Sequence, residues 1–405
     1  MYRLHSSLRA AGIDSKILCD RKTIDSPHIQ VLQRSPRLAI LEKILKQITS
    51  RLGLNDIHLL SSFKIAQHEA YVNTDILHFH GTHSNFINYL ALPKLTQNKP
   101  AVFTLHDMWA LTGHCGYSYD CDRWKIGCGK CRYLDTSPRL KRDSTHLEWK
   151  LKDWVYDRSN LTIICPSRWM LQQAKQSPLL DRFVIHHIPF GLDTELYQPL
   201  DPQHCRSLLG IPAGKKVLMF AATNLKDYRK GRDLLIQALQ SLPQSLQAET
   251  VLLVIGKEGK AIAQTVDIPV YDLGYLSNER SKAVAYSAAD LFLFPTRADI
   301  FGLVSIESQA CGTPVVSFNV GGVPDRVHPG ITGYLAEPEN PQDFAAGIVQ
   351  LLADESLRNA MSQQCRATVL QEYSLQLHVQ RHTHLYQSLV TSNWATNSST
   401  VTCLR

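Results

Sequence analysis

Short apolar segments alternate along most of the chain with longer segments in which apolar residues recur every three or four positions. The short segments are rich in Val, Ile, Leu and Phe, as the buried strands of a parallel sheet are. The longer segments have the period of amphipathic helices that pack on such a sheet. This alternation predicts an α/β protein built from βαβ units.

The predicted strands form two groups on either side of a turn-rich stretch near residues 189–193. In order, they cover residues 75–80, 101–106, 161–165, 183–188, 216–221, 250–255, 270–273, 291–295 and 314–318. The predicted helices cover residues 40–52, 146–158, 168–176, 231–242, 278–288, 301–310 and 342–352. We therefore predict an N-terminal domain over residues 1–190 and a C-terminal domain over residues 191–375. Residues 376–405 are predicted to form a helix that returns toward the N-terminal domain, followed by a flexible tail.

The start of the chain predicts a helix before any strand. Residues 2–11 have an amphipathic pattern closed by Gly12, and residues 17–19 are typical of a short strand. The first strand of a doubly wound sheet normally precedes the first helix and lines the ligand cleft. We therefore expect the first strand of the N-terminal domain to be missing.

Length, composition and charge narrow the class of protein. The 405 residues, 44% of them hydrophobic, exceed one ordinary core and favour two domains. No apolar run approaches the roughly 20 residues of a membrane span, and no signal peptide is evident, which favours the cytoplasm. The net charge of +7 is the sum of +8 over residues 1–150, which contain 21 Lys and Arg against 13 Asp and Glu, and −1 over the rest of the chain. This excess indicates either a solvated surface or attraction to an anionic membrane or acceptor, and nucleic-acid binding is not expected.

Residues 294–325 contain the most informative chemistry. A predicted strand ends at Pro295, a loop carries Asp299, and a helix containing Glu307 begins near Phe301 and Gly302. Free N–H groups at such a helix start, from Phe301 to Leu303, suit a diphosphate. Two acids eight residues apart also fit an N-cap and a surface carboxylate, so they identify no ligand by themselves.

The whole string resembles the family 4 retaining glycosyltransferases. Their acid-x7-acid pattern, followed by A-x-G-x-P-V-V and a Gly-Gly turn, is matched by Asp299 and Glu307, by residues 310–316, and by residues 321–322. The family usually has Glu where this chain has Asp299. The resemblance implies two Rossmann-like domains facing each other across a cleft, the GT-B fold. It implies that Glu307 holds the ribose of a nucleotide-sugar donor and that Asp299 touches the transferred sugar.

A second match follows the predicted strand at residues 216–221. The resemblance assigns Lys230 and Gly231 to the donor diphosphate, together with an Arg six residues earlier. Asn224 stands at that earlier position, which removes one positive charge, and Arg229 or Lys226 is the candidate to replace it. Alone, Lys230 would be interpreted as a solvated lysine at a helix start.

Histidines end two predicted strands of the first half. His106 and Asp107 follow residues 101–105, and the resemblance assigns a contact with the donor sugar to His106. His78 and His80 end the preceding strand, and we expect their side chains to alternate in direction, so that at most one of them, His80 beside Gly81, faces the cleft. A lone histidine at a strand end is more often structural.

Four cysteines cluster within residues 115–131. Cys115, Cys121, Cys128 and Cys131 include a C-x2-C pair with metal-ligand spacing, so four thiolates could hold a structural zinc. Reduced thiols or a local disulfide are the alternatives. Catalysis itself is expected to need no metal or other cofactor, because Lys230 and the helix start can hold the diphosphate.

The sequence thus predicts a hexosyltransferase that moves a sugar from a nucleotide-diphosphate donor to a glycan or lipid-linked acceptor. The amino-acid sequence of residues 104–115 resembles that of bacterial exopolysaccharide transferases of the colanic-acid type. This resemblance implies surface-polysaccharide synthesis at the inner face of the plasma membrane. A non-catalytic sugar-binding protein and a sugar-nucleotide epimerase of the same fold are the alternatives. Release of the nucleotide diphosphate only when acceptor is present would separate a transferase from both.

Overall fold

A computed structural model describes residues 1–83 and 86–401, with side chains described as far as residue 391. The last residues of the predicted tail, 402–405, lie outside the described residues. The chain divides into two compact units. Unit 1 contains Met1–Pro189 and the segment from His378 onward, and unit 2 contains Phe190–Leu377.

Unit 1 contains two parallel sheets. The strands of the small sheet are β1 (Ile17–Cys19) and β2 (Ile29–Val31). The larger sheet has the order β3-β4-β5-β6, formed by β3 (Leu77–His80), β4 (Ala101–Thr104), β5 (Thr162–Cys165) and β6 (Val184–His187). Neighbouring strands of this sheet are all parallel, so their carboxyl ends lie along one edge.

Unit 2 contains one six-stranded parallel sheet with the order β12-β11-β10-β7-β8-β9. Its strands are β7 (Lys216–Asn224), β8 (Thr250–Lys257), β9 (Val270–Asp272), β10 (Leu291–Phe294), β11 (Val315–Phe318) and β12 (Gly333–Ala336). From β7 the sheet extends through β8 to β9, and from β10 it extends in the opposite direction through β11 to β12. The sheet therefore has its switch point between β7 and β10, the place where doubly wound sheets bind ligands.

Helices connect these strands. In unit 1 they are α1 (Tyr2–Ala10), α2 (Pro36–Arg51), α3 (Glu69–Val72), α4 (Leu92–Thr96), α5 (Thr145–Asp157) and α6 (Arg168–Gln176). In unit 2 they are α7 (Pro202–Leu208), α8 (Arg232–Gln240), α9 (Gln244–Glu249), α10 (Lys260–Ala263), α11 (Glu279–Ala288), α12 (Leu303–Ala310), α13 (Pro341–Ala353) and α14 (Glu355–Glu372). The last helix, α15 (Leu375–Val401), belongs to unit 1 from His378 onward.

The strands of unit 2 are buried on both faces, which explains their unbroken apolar runs. Every residue of β10 and β11 is buried, and Leu218, Phe220 and Val254 lie in the main core with residues of α8 and α13. Helices pack on a parallel sheet in this way because βαβ crossovers bring them over its faces.

The predicted α/β class and the parallel strands are confirmed, including the short strand at residues 17–19. Sequence reasoning missed β2, β12, the short helices α3, α4, α7, α9 and α10, and the long helix α14. It also placed the start of α12 at Phe301, whereas the helix begins at Leu303. Strand β12 was missed because it has only four residues, Gly333–Ala336, and contains a glycine, which lowers strand propensity.

Candidate active site

The loop between β10 and α12 positions Asp299 beside the start of α12. Asp299 Oδ1 accepts hydrogen bonds from the backbone N–H groups of Phe301, at 3.1 Å, and Gly302, at 2.7 Å. Gly302 has φ of 77°, and a Cβ there would lie 2.8 Å from the ring of Phe294. Only glycine therefore lets the chain turn so tightly over the end of β10, and the turn fixes the carboxylate of Asp299.

Two cations contact the other oxygen of Asp299. Lys230 Nζ donates to Asp299 Oδ2 at 3.1 Å, and Arg229 Nη1 donates to the same oxygen at 3.3 Å. Arg229 also pairs with Asp227 at 3.2 Å. The candidate replacement for the charge missing at Asn224 is therefore Arg229, since the exposed Lys226 pairs with Glu258 instead.

Close backbone packing brings these charges together. Gly231 has φ of 67°, and a Cβ there would lie 1.8 Å from the carbonyl oxygen of Pro295. The backbone N–H of Arg297 and the hydroxyl of Thr296 both donate to the carbonyl oxygen of Arg229. The loops after β7 and β10 are thus joined at the switch point of the sheet, with Lys230 and Asp299 facing each other.

The electrostatics of this cluster favour an ionised carboxylate. Burial alone would raise the pKa of Asp299, but the charges of Lys230 and Arg229 outweigh it and lower the pKa to about 2. Asp299 therefore carries a full negative charge at neutral pH and partly neutralises the two cations. An incoming anion would compete with Asp299 for Lys230 and Arg229.

We expect the variant D299N to lose about 2–3 kcal/mol of unfolding free energy at pH 7, because it leaves two partly buried cations without their carboxylate. In the unmodified protein, the stabilisation by the ionised Asp299 should be present above pH 3.8 and disappear as the pH falls toward 2. Urea denaturation of both proteins measures the loss. The variant E258Q, which breaks the exposed pair with Lys226, should lose at most a few tenths of a kcal/mol. Equal losses in D299N and E258Q would contradict the argument.

Glu307 lies in α12 and is buried. Its Oε2 accepts a hydrogen bond of 3.2 Å from the hydroxyl of Tyr286, which belongs to α11. Burial and the nearby Glu307 raise the pKa of Tyr286 well above its usual value. Tyr286 therefore stays protonated, and its hydroxyl holds the carboxylate of Glu307 in place.

Arg326 is a residue of this region that sequence reasoning missed. Its guanidinium lies 4.1 Å from the ring centre of Phe301, and the side chain is only 1% exposed. Burial lowers the pKa of Arg326 to about 10. Its Nε and Nη2 have no hydrogen-bond partner among the residues that the structure describes. No motif pointed to it, because only the fold brings this arginine under Phe301.

The carboxyl ends of β3 and β4 carry the predicted histidines of unit 1. His80 Nδ1 and His106 Nε2 share a hydrogen bond of 3.0 Å. His78 bonds to Thr104 and to Tyr386 of α15, at 2.7 and 2.6 Å. The expectation that His78 and His80 point in different directions is wrong. Residues two apart on a strand share a face, and their ring centres lie 3.9 Å apart.

Asp107 pairs with a histidine that the sequence did not single out. His83 Nε2 and Asp107 Oδ2 lie 2.7 Å apart, and Asp107 Oδ1 accepts the backbone N–H of Trp109 at 2.9 Å. Gly81, with φ of 63°, turns the chain after β3 and brings His83 back toward β4. The signal in the sequence was the spacing of three histidines, at positions 78, 80 and 83.

The four clustered cysteines line one small cavity together with His114. Burial raises the pKa of Cys115 to about 12 and that of Cys128 to about 11, so both are neutral thiols at pH 7. Within residues 1–83 and 86–391, no three His, Cys, Asp or Glu side chains form a group that could hold a metal ion. A structural zinc at these four cysteines therefore stays a prediction from their spacing.

The described helices include none that is both long and apolar enough to cross a bilayer.

Two family models match consecutive parts of the chain. The model described as "Glycosyltransferase Family 4" matches residues 1–196, and the one described as "Glycosyl transferases group 1" matches residues 206–368. The first therefore covers the sheets of unit 1, and the second covers the sheet of unit 2.

A curated relative, D-inositol 3-phosphate glycosyltransferase 1 of Catenulispora acidiphila, is 35% identical over 191 residues. The aligned part covers 44% of this chain and 45% of the relative, so the chain matches about half the length of that protein.

Two solved structures are similar over most of the chain. Sucrose-phosphate synthase of Thermosynechococcus elongatus has a TM-score of 0.66 over 96% of this chain and 92% of that one, with 20% identity. HepE of Anabaena, in complex with UDP-glucose, has a TM-score of 0.62 over 89% of this chain and 91% of its own, with 19% identity. Identities this low establish a shared fold.

Proposed function

We propose that this chain, which two glycosyltransferase family models match over residues 1–196 and 206–368, transfers a hexose from a nucleotide-diphosphate sugar to a hydroxyl group of a glycan or lipid-linked acceptor. The anomeric configuration is retained. Unit 2 binds the donor, and unit 1 is the acceptor-side domain.

The observation that carries this proposal is the charge cluster at the switch point of unit 2. Lys230 and Arg229 both lie within 3.3 Å of Asp299, next to the first turn of α12. When a donor binds, its diphosphate takes over Lys230 and Arg229, while Asp299 stays held through Oδ1 and offers Oδ2 to sugar hydroxyls. As the bond to the sugar breaks, negative charge grows on the departing diphosphate, and fixed positive charge stabilises it.

The donor is a uridine or related nucleotide linked to a hexose. The structure of HepE with UDP-glucose, which shares this fold, supports that class of donor. The match of residues 104–115 to the colanic-acid type supports an acceptor in surface-polysaccharide synthesis. The basic character of residues 1–150 fits action at the anionic inner face of the plasma membrane.

Nucleotide binding tests the donor assignment directly. Purified protein is screened by thermal shift against UDP, GDP, ADP and their hexose conjugates, since a ligand that binds only the folded state raises its stability. We expect one nucleotide to stand out, and its hexose conjugates to be consumed only when acceptor is added. A folded protein that binds none of them would contradict the proposal.

The variant E307Q should weaken nucleotide binding at least 10-fold, because a charged acceptor of the ribose hydroxyls becomes a neutral one. The amide oxygen can still accept from Tyr286, so the fold is retained. Calorimetric titration with the nucleotide selected above measures the change. The matched variant E337Q alters an exposed glutamate of unit 2 and should bind like the unmodified protein. Unchanged affinity in E307Q would remove Glu307 from the donor site.

A sugar-nucleotide-binding protein without transfer activity is the second candidate, and Asn224 favours it. The residue lies at the exposed end of β7, and its side chain accepts the backbone N–H of Lys226. It provides no charge for a diphosphate. Binding of a nucleotide sugar without release of the nucleotide diphosphate, in the presence of a range of acceptors, would support this candidate.

A further inference from the structure

Arg326 lies behind the loop that leads from β10 to α12, within unit 2. The backbone N–H of Gly322 donates to the carbonyl oxygen of Asp299 at 2.9 Å, which joins the loop after β11 to the loop after β10. A Cβ at Gly322 would lie 2.1 Å from the carbonyl oxygen of Ile300 and 2.8 Å from Nη2 of Arg326. The guanidinium therefore lies against the backbone where the two loops meet, in the layer behind the carboxylate of Asp299.

The guanidinium is buried without the partners that such a group normally has. Arg326 is 1% exposed, and its only close planar neighbour among the described residues is the ring of Phe301, whose centre lies 4.1 Å away. Within the part of the chain that the structure describes, its Nε and Nη2 have no hydrogen-bond partner. Leaving buried donors unpaired lowers the stability of a protein, and most buried polar groups are paired for that reason. Functional sites are where such departures are expected.

Arg326 remains a cation at neutral pH. Burial lowers its pKa to about 10, and Tyr373, Asp325 and Asp299 offset only part of the effect of burial. A pKa of about 10 still leaves almost every molecule with the positive charge at pH 7. Because electrostatic energy grows as the effective dielectric constant falls, a charge in the interior acts more strongly on nearby charges than an exposed one does.

The charge cluster at the start of α12 needs such a charge, because its own charges cancel. Two cations, Lys230 and Arg229, carry its positive charges. Two carboxylates pair with them, Asp299 with both cations and Asp227 with Arg229. These four side chains together are neutral, and Asn224 adds no charge to them. Without a further cation, the cluster would offer a diphosphate no net attraction.

We propose that Arg326 is a positioning residue of the donor site, and that its buried positive charge provides the net attraction that holds the donor diphosphate at the start of α12. This inference rests on the proposed function, in which unit 2 binds the donor. Arg326 does not touch the donor, because its guanidinium is enclosed. It acts through its electric field and through Phe301, whose backbone N–H belongs to the helix start. Dependence of donor binding on this charge explains why a cation is kept where it lowers stability.

The test compares the unmodified protein with the variants R326M and R358M. The ligands are the tightest binder among UDP, GDP and ADP, measured by calorimetric titration, and its nucleoside, measured by competition with that diphosphate. We expect R326M to bind the diphosphate about 10-fold more weakly, because a buried charge near it is lost. Affinity for the uncharged nucleoside should stay within twofold. The urea midpoint of R326M should be unchanged or higher, since methionine removes a buried charge that lacks full pairing.

The control R358M removes the same charge from a partly exposed arginine that donates to the last carbonyl groups of α13, and it should bind both ligands like the unmodified protein. Three results would overturn the role of Arg326 and leave the proposed function intact. They are a diphosphate affinity of R326M within twofold of the unmodified value, equal losses in R326M and R358M, and a loss for the nucleoside as large as that for the diphosphate. An R326M protein that is unfolded or has a lower urea midpoint would make Arg326 a packing residue and overturn the role too. If the unmodified protein binds none of the three diphosphates, the proposed function itself falls, and this inference falls with it.

Discussion

Replacing Lys230 by Met should lower kcat/KM for sugar transfer by about 100–1000-fold, the cost of removing one group that stabilises developing charge. The methionine keeps most of the length of the side chain, and Arg229 remains to pair with Asp299, so the fold should survive. Much of the loss should appear in kcat, because negative charge on the diphosphate is greatest after the bond to the sugar has weakened. Steady-state kinetics with the selected donor measures both parameters.

The same loop provides the control for Lys230. Lys226 is four residues earlier, is exposed, and pairs with Glu258 rather than with Asp299. The variant K226M removes the same charge from the protein and should change kcat/KM by less than threefold. Similar losses in K230M and K226M would mean that general attraction of the anionic donor, and not a specific contact, accounts for the effect of Lys230.

As the pH is lowered, unit 1 should lose stability at pH values well above those at which the carboxylates become protonated. Burial lowers the pKa of His106 to about 4, that of His378 to about 3 and that of His382 to about 4, from 6.5 in the unfolded chain. These residues bind protons only when the chain unfolds, so their stabilisation is complete above pH 6.5 and declines as the pH falls below it. At pH 5.5 each should have lost about 1.4 kcal/mol, or about 4 kcal/mol for the three together.

Urea denaturation at pH 7.5 and 5.5, followed by near-ultraviolet circular dichroism, measures this decline. The variant H382Q should lose about 1.4 kcal/mol less between these pH values than the unmodified protein, since one buried histidine no longer titrates. Because the pKa of Asp299 is about 2, the carboxylate cluster of unit 2 should contribute nothing in this range. An unfolding free energy that is the same at both pH values would contradict neutral buried histidines.

Much of the candidate donor site could be predicted from local sequence. The order strand, loop, Asp299, glycine and helix follows from the apolar run that ends at Pro295 and from the glycine at position 302. Lys230 followed by Gly231 is equally local. The sequence did not indicate that Asp299 bonds to Lys230 and Arg229, since these residues are about 70 positions apart and meet only because β7 and β10 are neighbours.

The same distinction applies to unit 1. His106 and His80 were predicted as strand-end residues, but the pairing of His83 with Asp107 depends on a turn at Gly81 and on the register of β3 against β4. The four cysteines show the opposite case. Their spacing predicts a metal site without any knowledge of the fold, but spacing does not fix the direction of each thiol, and in the structure all four line one small cavity.

The sequence by itself determined the α/β class and the parallel strands, and it named most of the residues that meet in the candidate donor site. The period of apolar residues and the placement of glycines act within a few positions and can be interpreted without a fold. Only the tertiary structure decided which charges meet. Asp299 receives its two cations, Arg326 its place under Phe301, and His83 its carboxylate from parallel strand order and loop packing. Strand order and loop packing depend on the burial of a whole sheet, and no local sequence pattern encodes them.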